Sequence, residues 1–304
     1  MPRSYRYLHL DVFTDHLFGG NQLAVVPDGR GLSTDTMQAI AKEMNFSETT
    51  FVLPSERSDT DVRMRIFTPG EELPMAGHPT IGSAFALART GLIAPHRDLF
   101  VFGLGIGPVP VSLTWRGDEL TFAWMTQLDP TFSDVIDNPR GAAAILGLPE
   151  DAVTKTGLPV QVVSCGVPFL FVPLATRRDV DHASLDRAAL RRFRESVDTL
   201  ADCVFLFSPE PGADAATVYS RMFAPDLGIG EDPATGSASG PLGCYLVRHG
   251  VVPPERAGAM LSLQGVTMGR PSHVHISIGM AAGAISGVRV GGESVLAGEG
   301  TLYI

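Results

Sequence analysis

Apolar and polar residues alternate in many short runs along this chain, and a period of two is typical of half-buried strands. The alternation is clear in 5–13 and 62–67, and we predict further strands at 22–26, 48–53, 160–173, 202–207, 217–223, 258–268, 272–280 and 284–304, with a strand, a turn at 116–118 and a second strand in 100–122. Fewer segments show the spacing of three and four residues that indicates a helix. They are 33–44, 79–90, 138–146, 184–196 and 233–248. The pattern therefore predicts many strands with a few helices between them.

Two of the predicted helices are slim, because small residues take the place of bulky ones. Alanines and Gly82 occur throughout residues 79–90, and Ala238 and Gly243 occur within residues 233–248. A helix without bulky side chains lets neighbouring backbone approach closely. We expect a sheet to wrap around each of these two helices.

An internal repeat is the strongest signal in the sequence. Residues 65–84 contain Arg-Ile-Phe-Thr-Pro and then His-Pro-Thr-Ile-Gly-Ser-Ala, and residues 221–238 contain Arg-Met-Phe-Ala-Pro and then Asp-Pro-Ala-Thr-Gly-Ser-Ala. A self-match of this kind predicts two equivalent halves. We place the first half at 1–127 and the second at 128–287. The short segment from about 288 to 304 is expected to return to the first half.

The composition narrows the class of protein. The chain has 304 residues, of which 44% are hydrophobic and 18% charged, as is ordinary for a globular enzyme. Its formal net charge is −10. One local group of arginines lies in a predicted helix, where we interpret it as a solvated face; its members are Arg187, Arg191, Arg192 and Arg194. We therefore predict no nucleic-acid partner.

The cysteines and the lengths of the apolar segments indicate the cellular compartment in which the protein works. Cys165, Cys203 and Cys244 are widely spaced in apolar surroundings and form no C-x-x-C pair. Such usage fits buried thiols in a reducing compartment. Because no apolar stretch is long enough for a signal peptide or a membrane span, we expect a cytoplasmic protein without membrane contact.

The repeat places two different titratable side chains at matching positions, His78 in the first copy and Asp232 in the second. Each precedes a proline, Pro79 or Pro233, which we predict to be the first residue of a slim helix. The free N–H groups and the dipole of such a helix start favour an anion, for example a carboxylate. Hydroxyl groups close to the two helix starts belong to Thr80, Ser83, Thr235 and Ser237.

Glu48 is a third candidate for chemistry. It follows Asn-Phe-Ser at a junction between a predicted helix and an apolar strand. A carboxylate held against apolar neighbours has a raised affinity for its proton, which suits a general acid or base. Simpler interpretations stay open: Asp232 as a helix N-cap, His78 as a loop histidine and Glu48 as an exposed strand residue.

Several familiar site motifs are missing from the sequence. It has no G-x-G-x-x-G before a helix, no P-loop, no H-E-x-x-H and no G-x-S-x-G. We interpret the other histidines, including His273 and His275, as structural or exposed. We therefore predict no metal and no cofactor.

A set of short motifs is spread over nearly the whole chain. They are Asp11-Val-Phe-Thr14, Gly20-Asn21, Leu23-Ala-Val-Val26, Asn45-Phe-Ser-Glu48-Thr-Thr-Phe51, Arg65-Ile-Phe-Thr-Pro69, Glu72-Leu-Pro74, Ala76-Gly-His-Pro-Thr80, Glu231-Asp-Pro-Ala-Thr-Gly-Ser-Ala238, Gly265 and Met268-Gly-Arg-Pro271. Together they resemble the motifs of the phenazine-biosynthesis PhzF family. One departure is Gln22, where that family usually has proline, and we expect it to leave the chemistry intact.

The resemblance implies the α+β fold of diaminopimelate epimerase. In this fold two pseudo-symmetric halves each form a mostly antiparallel sheet rolled around a central helix, and the site lies in the cleft between them. The resemblance also implies a cofactor-free isomerisation of trans-2,3-dihydro-3-hydroxyanthranilate, a small carboxylated compound. Because the family commonly forms homodimers, a homodimer is implied here.

The same resemblance assigns roles to individual residues. Glu48 would be the proton shuttle. The substrate would be held or polarised by His78, Asp232 and Ser237, with backbone donors presented at Gly77 and Gly236.

Two other functions stay open. One is an epimerase or racemase of an amino-acid-like compound. Related enzymes of the fold use a cysteine at each helix start, and Ala76 and Pro233 occupy those places here, so a two-thiol reaction is not expected. The other is a non-catalytic protein that binds small anions on the same scaffold.

Overall fold

The structure is a computed structural model, and it describes residues 3–197, 201 and 203–304. The chain divides into two compact units. Unit 1 comprises Met1–Thr126, Arg270–His273 and Arg289–Ile304, and unit 2 comprises Gln127–Gly269 and Val274–Val288.

Strands and helices follow one another in short segments. The strands are β1 (Ser4–Val12), β2 (Asn21–Val26), β3 (Glu48–Pro54), β4 (Val62–Phe67), β5 (Glu72–Leu73), β6 (Leu99–Leu104), β7 (Gly107–Arg116), β8 (Glu119–Gln127), β9 (Thr131–Ile136), β10 (Val160–Ser164), β11 (Pro168–Pro173), β12 (Cys203–Ser208), β13 (Val218–Ala224), β14 (Ile229–Asp232), β15 (Met260–Gln264), β16 (Ser272–Ala281), β17 (Ala284–Gly292) and β18 (Ser294–Tyr303). The α-helices are α1 (Thr34–Met44), α2 (Gly77–Arg89), α3 (Pro139–Ile145), α4 (Asp151–Thr154), α5 (Arg177–His182), α6 (Arg187–Val197) and α7 (Gly236–Arg248). None of the helices within the described residues is long and apolar enough to cross a membrane.

Unit 1 contains a mixed sheet in which most neighbouring strands are antiparallel. The strand order is β18–β1–β2–β3–β4–β6–β7–β8, with β5 also paired to β4. The parallel pairs are β2–β3 and β4–β6. Strand β18 pairs with β1 along its length, so the C-terminal segment belongs to the first unit.

Helix α2 packs against β1, β2, β3 and β18 of this sheet, and its residues from Gly77 to Ala84 are all buried. Gly82 permits this close packing. A Cβ at that position would lie 2.5 Å from Val12 Cγ2 and 2.6 Å from Leu23 Cδ2. The prediction of a slim helix packed against a sheet is therefore confirmed for the first copy.

Unit 2 repeats the same series of pairings. The strands follow the order β9–β10–β11–β12–β13–β15, and β14 also pairs with β13. The parallel pairs are β11–β12 and β13–β15. Helix α7 packs against β10 and β11, and a Cβ on Gly243 would lie 2.5 Å from Ile276 Cγ2. The second slim helix thus has the same kind of surroundings within its own unit.

Both faces of the sheet in unit 2 are covered. Phe205 in β12 belongs to the apolar cluster that contains Tyr245 of α7. Its neighbour Leu206 points into a second cluster, with Leu190 and Phe193 of α6. Successive side chains of a strand point to opposite faces. This explains why all six residues of β12 are buried.

The repeated Arg-x-Phe motif builds the same contacts in each unit. In unit 1, Arg65 forms a two-point ion pair with Glu72, with Nε 2.7 Å from Oε1, and its guanidinium lies 5.0 Å from the ring centroid of Phe67. In unit 2, Arg221 forms the same pair with Glu231, with Nε 2.8 Å from Oε1, and again stacks on the phenylalanine two residues later. Part of the internal repeat is therefore structural.

Some elements differ from their predictions. Residues 160–173 form two strands rather than one, because the chain turns between them at Gly166, which has a φ of 126°. Strand β9 escaped prediction since its residues are mostly exposed and show no apolar alternation. Helix α5 is short and also was not predicted. The predicted strand 202–207 begins at a position outside the described residues, and β12 covers Cys203–Ser208.

Candidate active site

Glu48 is the first residue of β3, which pairs in parallel with β2. The preceding helix α1 ends at Met44, and its C-cap Asn45 has a left-handed backbone (φ 53°) that turns the chain toward the strand. The Glu48 residue is only 7% exposed. The interpretation of Glu48 as an exposed strand residue is therefore wrong. A buried carboxylate is costly unless its environment places charged or hydrogen-bonding groups next to it.

His78 supplies part of that environment. It is buried in the first turn of α2, and its Nε2 lies 3.3 Å from Glu48 Oε2, although this contact is not aligned as a hydrogen bond. On the other side of the ring, Nδ1 lies 3.1 Å from the amide nitrogen of Asn21. His78 is thus a helix residue in contact with two buried polar side chains, and its interpretation as a loop histidine is wrong.

The charge of His78 follows from its burial. Loss of solvent lowers the pKa of His78 to about 3, while a hydrogen bond with the Gln22 backbone acts in the opposite direction. The imidazole is consequently neutral at neutral pH, with one nitrogen carrying a proton and the other free to accept one. A neutral imidazole next to a carboxylate can pass or orient a proton, which an imidazolium locked in an ion pair does poorly.

The start of α2 leaves backbone donors available. Its N-cap, Ala76, has no side chain that could accept from them, and the first two helical residues are Gly77 and His78. Helices do not satisfy their first N–H groups internally, and the dipole adds positive potential there. Pro79 is the third helical residue, so its predicted place as the first is wrong: the chain enters the helix at Gly77, from the extended backbone of Ala76.

Asp232 belongs to a closed hydrogen-bond network in unit 2. It ends β14 and is buried, and its Oδ2 accepts from the Thr235 hydroxyl at 2.6 Å. The Gln264 amide donates to the Asp232 carbonyl at 2.8 Å and accepts from the Thr235 N–H at 3.0 Å. These contacts hold residues 232–235 out of helical conformation.

The network moves the start of α7. The helix begins at Gly236 with Thr235 as its N-cap, so Pro233 precedes the helix and its predicted place as the first helical residue is wrong. Asp232 is likewise not the N-cap. Its carboxylate is held by the Thr235 hydroxyl instead, and Asp232 lies four residues before the first helical residue, Gly236.

Gly236 and Ser237 are the first two residues of α7. The Gly236 carbonyl accepts from Gln127 Nε2 at 2.9 Å, and this hydrogen bond holds the N-terminal end of α7 in place. Ser237 is half-buried. By contrast, the Ser83 hydroxyl is fully buried and bonded to Thr50 at 2.9 Å, and the Thr80 hydroxyl donates to the Ala76 carbonyl. The two hydroxyls predicted near the first helix start are therefore committed inside unit 1.

Sequence reasoning missed several residues of these two groups. Asn21 belongs to the Gly20-Asn21 motif of the family resemblance, but no role was predicted for it. Gln264 gave one available signal: a polar side chain at the end of an apolar strand, just before a glycine. Gln127 gave none, because its contact with α7 spans more than a hundred residues of sequence.

Comparisons with known proteins bear on the identity of the chain. The family model described as "Phenazine biosynthesis-like protein" matches residues 10–300. The chain belongs to this family. The match spans all of the sequence motifs from Asp11 to Pro271, and the predicted family is confirmed.

Individual members of the family agree with this result. The trans-2,3-dihydro-3-hydroxyanthranilate isomerase of Pseudomonas aeruginosa is 35% identical over 302 residues, covering 99% of this chain and 100% of that enzyme. An uncharacterized isomerase of Mesorhizobium japonicum is 36% identical and covers 98% of both chains. The prediction of an isomerase is therefore confirmed at the level of the family.

A solved structure supports the fold. The PhzF-family phenazine biosynthesis protein of Bacillus anthracis superimposes with a TM-score of 0.87 at 26% sequence identity, covering 99% of this chain and 100% of that one. The α+β fold predicted from the resemblance is therefore confirmed for this PhzF-family protein.

Proposed function

We propose that this protein is a cofactor-independent isomerase that moves a proton on a small carboxylated substrate of the trans-2,3-dihydro-3-hydroxyanthranilate type. Glu48 is the acid and base of the proposal. The observation that carries it is the buried contact of 3.3 Å between Glu48 Oε2 and the neutral imidazole of His78. The similarity to the Pseudomonas aeruginosa enzyme supports this class of substrate.

The proposed reaction balances within one substrate molecule. The Glu48 carboxylate takes a proton from one carbon, leaving a delocalised anion, and the resulting carboxylic acid returns a proton to another carbon. Substrate and product are isomers, so the step needs no oxidant, reductant or further reactant. The backbone N–H groups at Gly77 and His78 can stabilise the negative charge that develops in between.

The second group of residues is assigned to substrate binding. The N–H groups at Gly236 and Ser237, together with the Ser237 hydroxyl, suit a substrate carboxylate. Asp232 suits an amino group of the substrate. The internal repeat supports the assignment, because Asp232 stands in the second copy where His78 stands in the first.

Replacing Glu48 tests the proposal. Glu48→Gln keeps the size of the side chain but cannot take a proton, so we expect turnover to fall on the order of 10²- to 10⁴-fold. Binding of a substrate analogue, measured by calorimetry, should change little. Glu56→Gln is a matched control, since Glu56 is an exposed residue of the same unit. Normal turnover by Glu48→Gln would overturn the proposal.

Measuring the optical rotation of the substrate during turnover distinguishes the epimerase alternative. An epimerase would invert a stereocentre and change the optical rotation of an amino-acid-like compound without shifting a double bond. Cys165, Cys203 and Cys244 are buried, and none of them lies at the start of α2 or α7. This placement gives no support to a two-thiol reaction, so the isomerase remains the preferred function.

We also propose that the protein acts as a homodimer in the cytoplasm. The family resemblance supports the dimer, and three buried free cysteines fit a reducing compartment. Light scattering after gel filtration should give twice the chain mass of 32.3 kDa. A mass of one chain at micromolar concentration would contradict the dimer.

A further inference from the structure

The loop between β1 and β2 in unit 1 is strained. Phe13 and Phe18 both have positive φ, 66° and 69°. Bulky residues rarely adopt this conformation, and it persists where the surrounding contacts over-determine it, commonly next to functional groups. The loop ends at Asn21, the first residue of β2.

A buried ion pair holds this loop in place. The Arg270 guanidinium binds the Asp11 carboxylate and donates to the carbonyls of Gly19 and Gly20, with 2.8 Å between Nε and the Gly20 oxygen. Asp11 is 1% exposed, and its second oxygen accepts from the Phe18 N–H at 2.8 Å. The clamp therefore fixes the backbone on both sides of the strained residues, up to the residue before Asn21.

Asn21 in turn faces the imidazole of His78. The amide is 1% exposed, and its nitrogen lies 3.1 Å from Nδ1. The amide nitrogen donates, so in this orientation of the Asn21 side chain Nδ1 accepts and the single proton of a neutral ring sits on Nε2. Nε2 is the nitrogen that lies 3.3 Å from Glu48 Oε2.

We infer that Asn21 is a positioning residue that keeps the proton of His78 on Nε2, facing Glu48, and that the Arg270–Asp11 clamp holds Asn21 for this purpose. The catalytic consequence rests on the proposed function. The tautomer itself does not, because it is a property of the resting protein and can be measured without substrate.

Nitrogen-15 NMR of histidine-labelled protein measures the tautomer directly. The signals of His78 are assigned by their loss in His78→Gln. At neutral pH we expect Nε2 to carry the proton and Nδ1 to have the shift of an unprotonated ring nitrogen. A proton on Nδ1, bonded to the Gln22 backbone that also contacts the ring, would overturn the inference even in the unmodified protein.

Two variants test whether Asn21 sets the tautomer of His78. Asn21→Asp has the same shape but its carboxylate can only accept, so the proton should move to Nδ1. Asn138→Asp is the matched control, because an aspartate caps α3 as well as an asparagine does and the His78 signals should stay unchanged. Unchanged His78 signals in a folded Asn21→Asp protein would contradict the inference.

Activity gives the second readout. In the isomerase assay, Asn21→Asp should lower kcat by at least about tenfold with a smaller change in KM, since a histidine held in the wrong tautomer is a poor partner for a proton. Arg270→Lys should weaken the clamp and broaden the His78 signals toward a mixture of tautomers. If the tautomer switches but no tested compound turns over, the positioning role stands and the proposed function fails.

Discussion

At the scale of single residues, the central feature is a buried carboxylate beside an uncharged imidazole. A buried ionised carboxylate is costly unless charges or hydrogen bonds offset it. His78 supplies no positive charge at neutral pH, because burial lowers its pKa to about 3. Side chains whose pKa is strongly shifted, as that of His78 is, concentrate at functional sites. This is why we assign the proton transfer to Glu48 rather than to an exposed acid.

The lowered pKa of His78 gives stability a defined dependence on pH. Below the unfolded pKa of about 6.5, the unfolded chain binds a proton at residue 78 that the folded chain does not bind until the pH approaches 3. Folding is therefore favoured less as the pH falls through this range. We expect His78→Gln to remove this loss, so that wild type loses stability relative to the variant by up to about 1.4 kcal/mol per pH unit below pH 6.

Urea unfolding of both proteins at pH 7, 6 and 5 provides the measurement. The difference between two proteins cancels the titration of the carboxylates that they share. A difference in unfolding free energy that stays constant over these pH values would show that His78 is not buried as the neutral ring.

Asp232 carries a separate prediction. Asp232→Asn keeps an oxygen that can accept from Thr235, so the start of α7 should be preserved. The variant loses the negative charge proposed to hold an amino group. We expect kcat/KM to fall about 10- to 100-fold, as for a lost hydrogen bond to a charged group, with little change in Tm. Asp226→Asn, at an exposed carboxylate of the same unit, should have wild-type kcat/KM; equal values for both variants would contradict the role of Asp232.

At the scale of elements, the existence of most strands and helices could be predicted from periodicity, but the starts of α2 and α7 could not. Proline in both repeat copies indicated a first helical position. The structure instead starts α2 two residues before Pro79 and α7 three residues after Pro233. The difference in α7 arises from Gln264, which binds Asp232 and Thr235 from about thirty residues away. Local sequence patterns contain no information about a partner at that distance.

The roles of hydroxyl groups show the same limit. Ser83 and Ser237 occupy equivalent positions in the repeat, yet only Ser83 is fully buried and bonded to a neighbouring strand, at Thr50. Glu48, His78 and Asp232 were found from sequence because their chemistry is unusual for their positions. Asn21 was missed because its role depends on a contact 57 residues along the chain.

The packing of the slim helices gives a prediction about stability. Gly82→Ala would place a Cβ 2.5 Å from Val12, so we expect a loss of about 1–3 kcal/mol from overpacking. A loss of stability would be informative, because helix propensity alone would make the alanine variant more stable by about 1 kcal/mol. Gly298→Ala, on β18 with open space around it, should be close to neutral. Thermal or urea unfolding measures both, and a stabilised Gly82→Ala protein would contradict the close packing.

At the scale of the whole molecule, the sequence repeat has a part that is shared by both copies and a part that differs between them. The shared Arg-x-Phe motif builds the same ion pair and stacking contact in each unit, and the pairings of the strands follow the same series in both. The part that differs has an imidazole in one copy and a carboxylate in the other. The shared part supports the fold, and the proposed chemistry lies in the part that differs.

The central claim is that Glu48 moves a proton to and from carbon. The most direct test is turnover of trans-2,3-dihydro-3-hydroxyanthranilate in D₂O, followed by NMR of the product. We predict that the unmodified protein places solvent deuterium on a product carbon and that Glu48→Gln does so on the order of 10²- to 10⁴-fold more slowly. Deuterium entering carbon equally fast with Glu48→Gln would contradict the account.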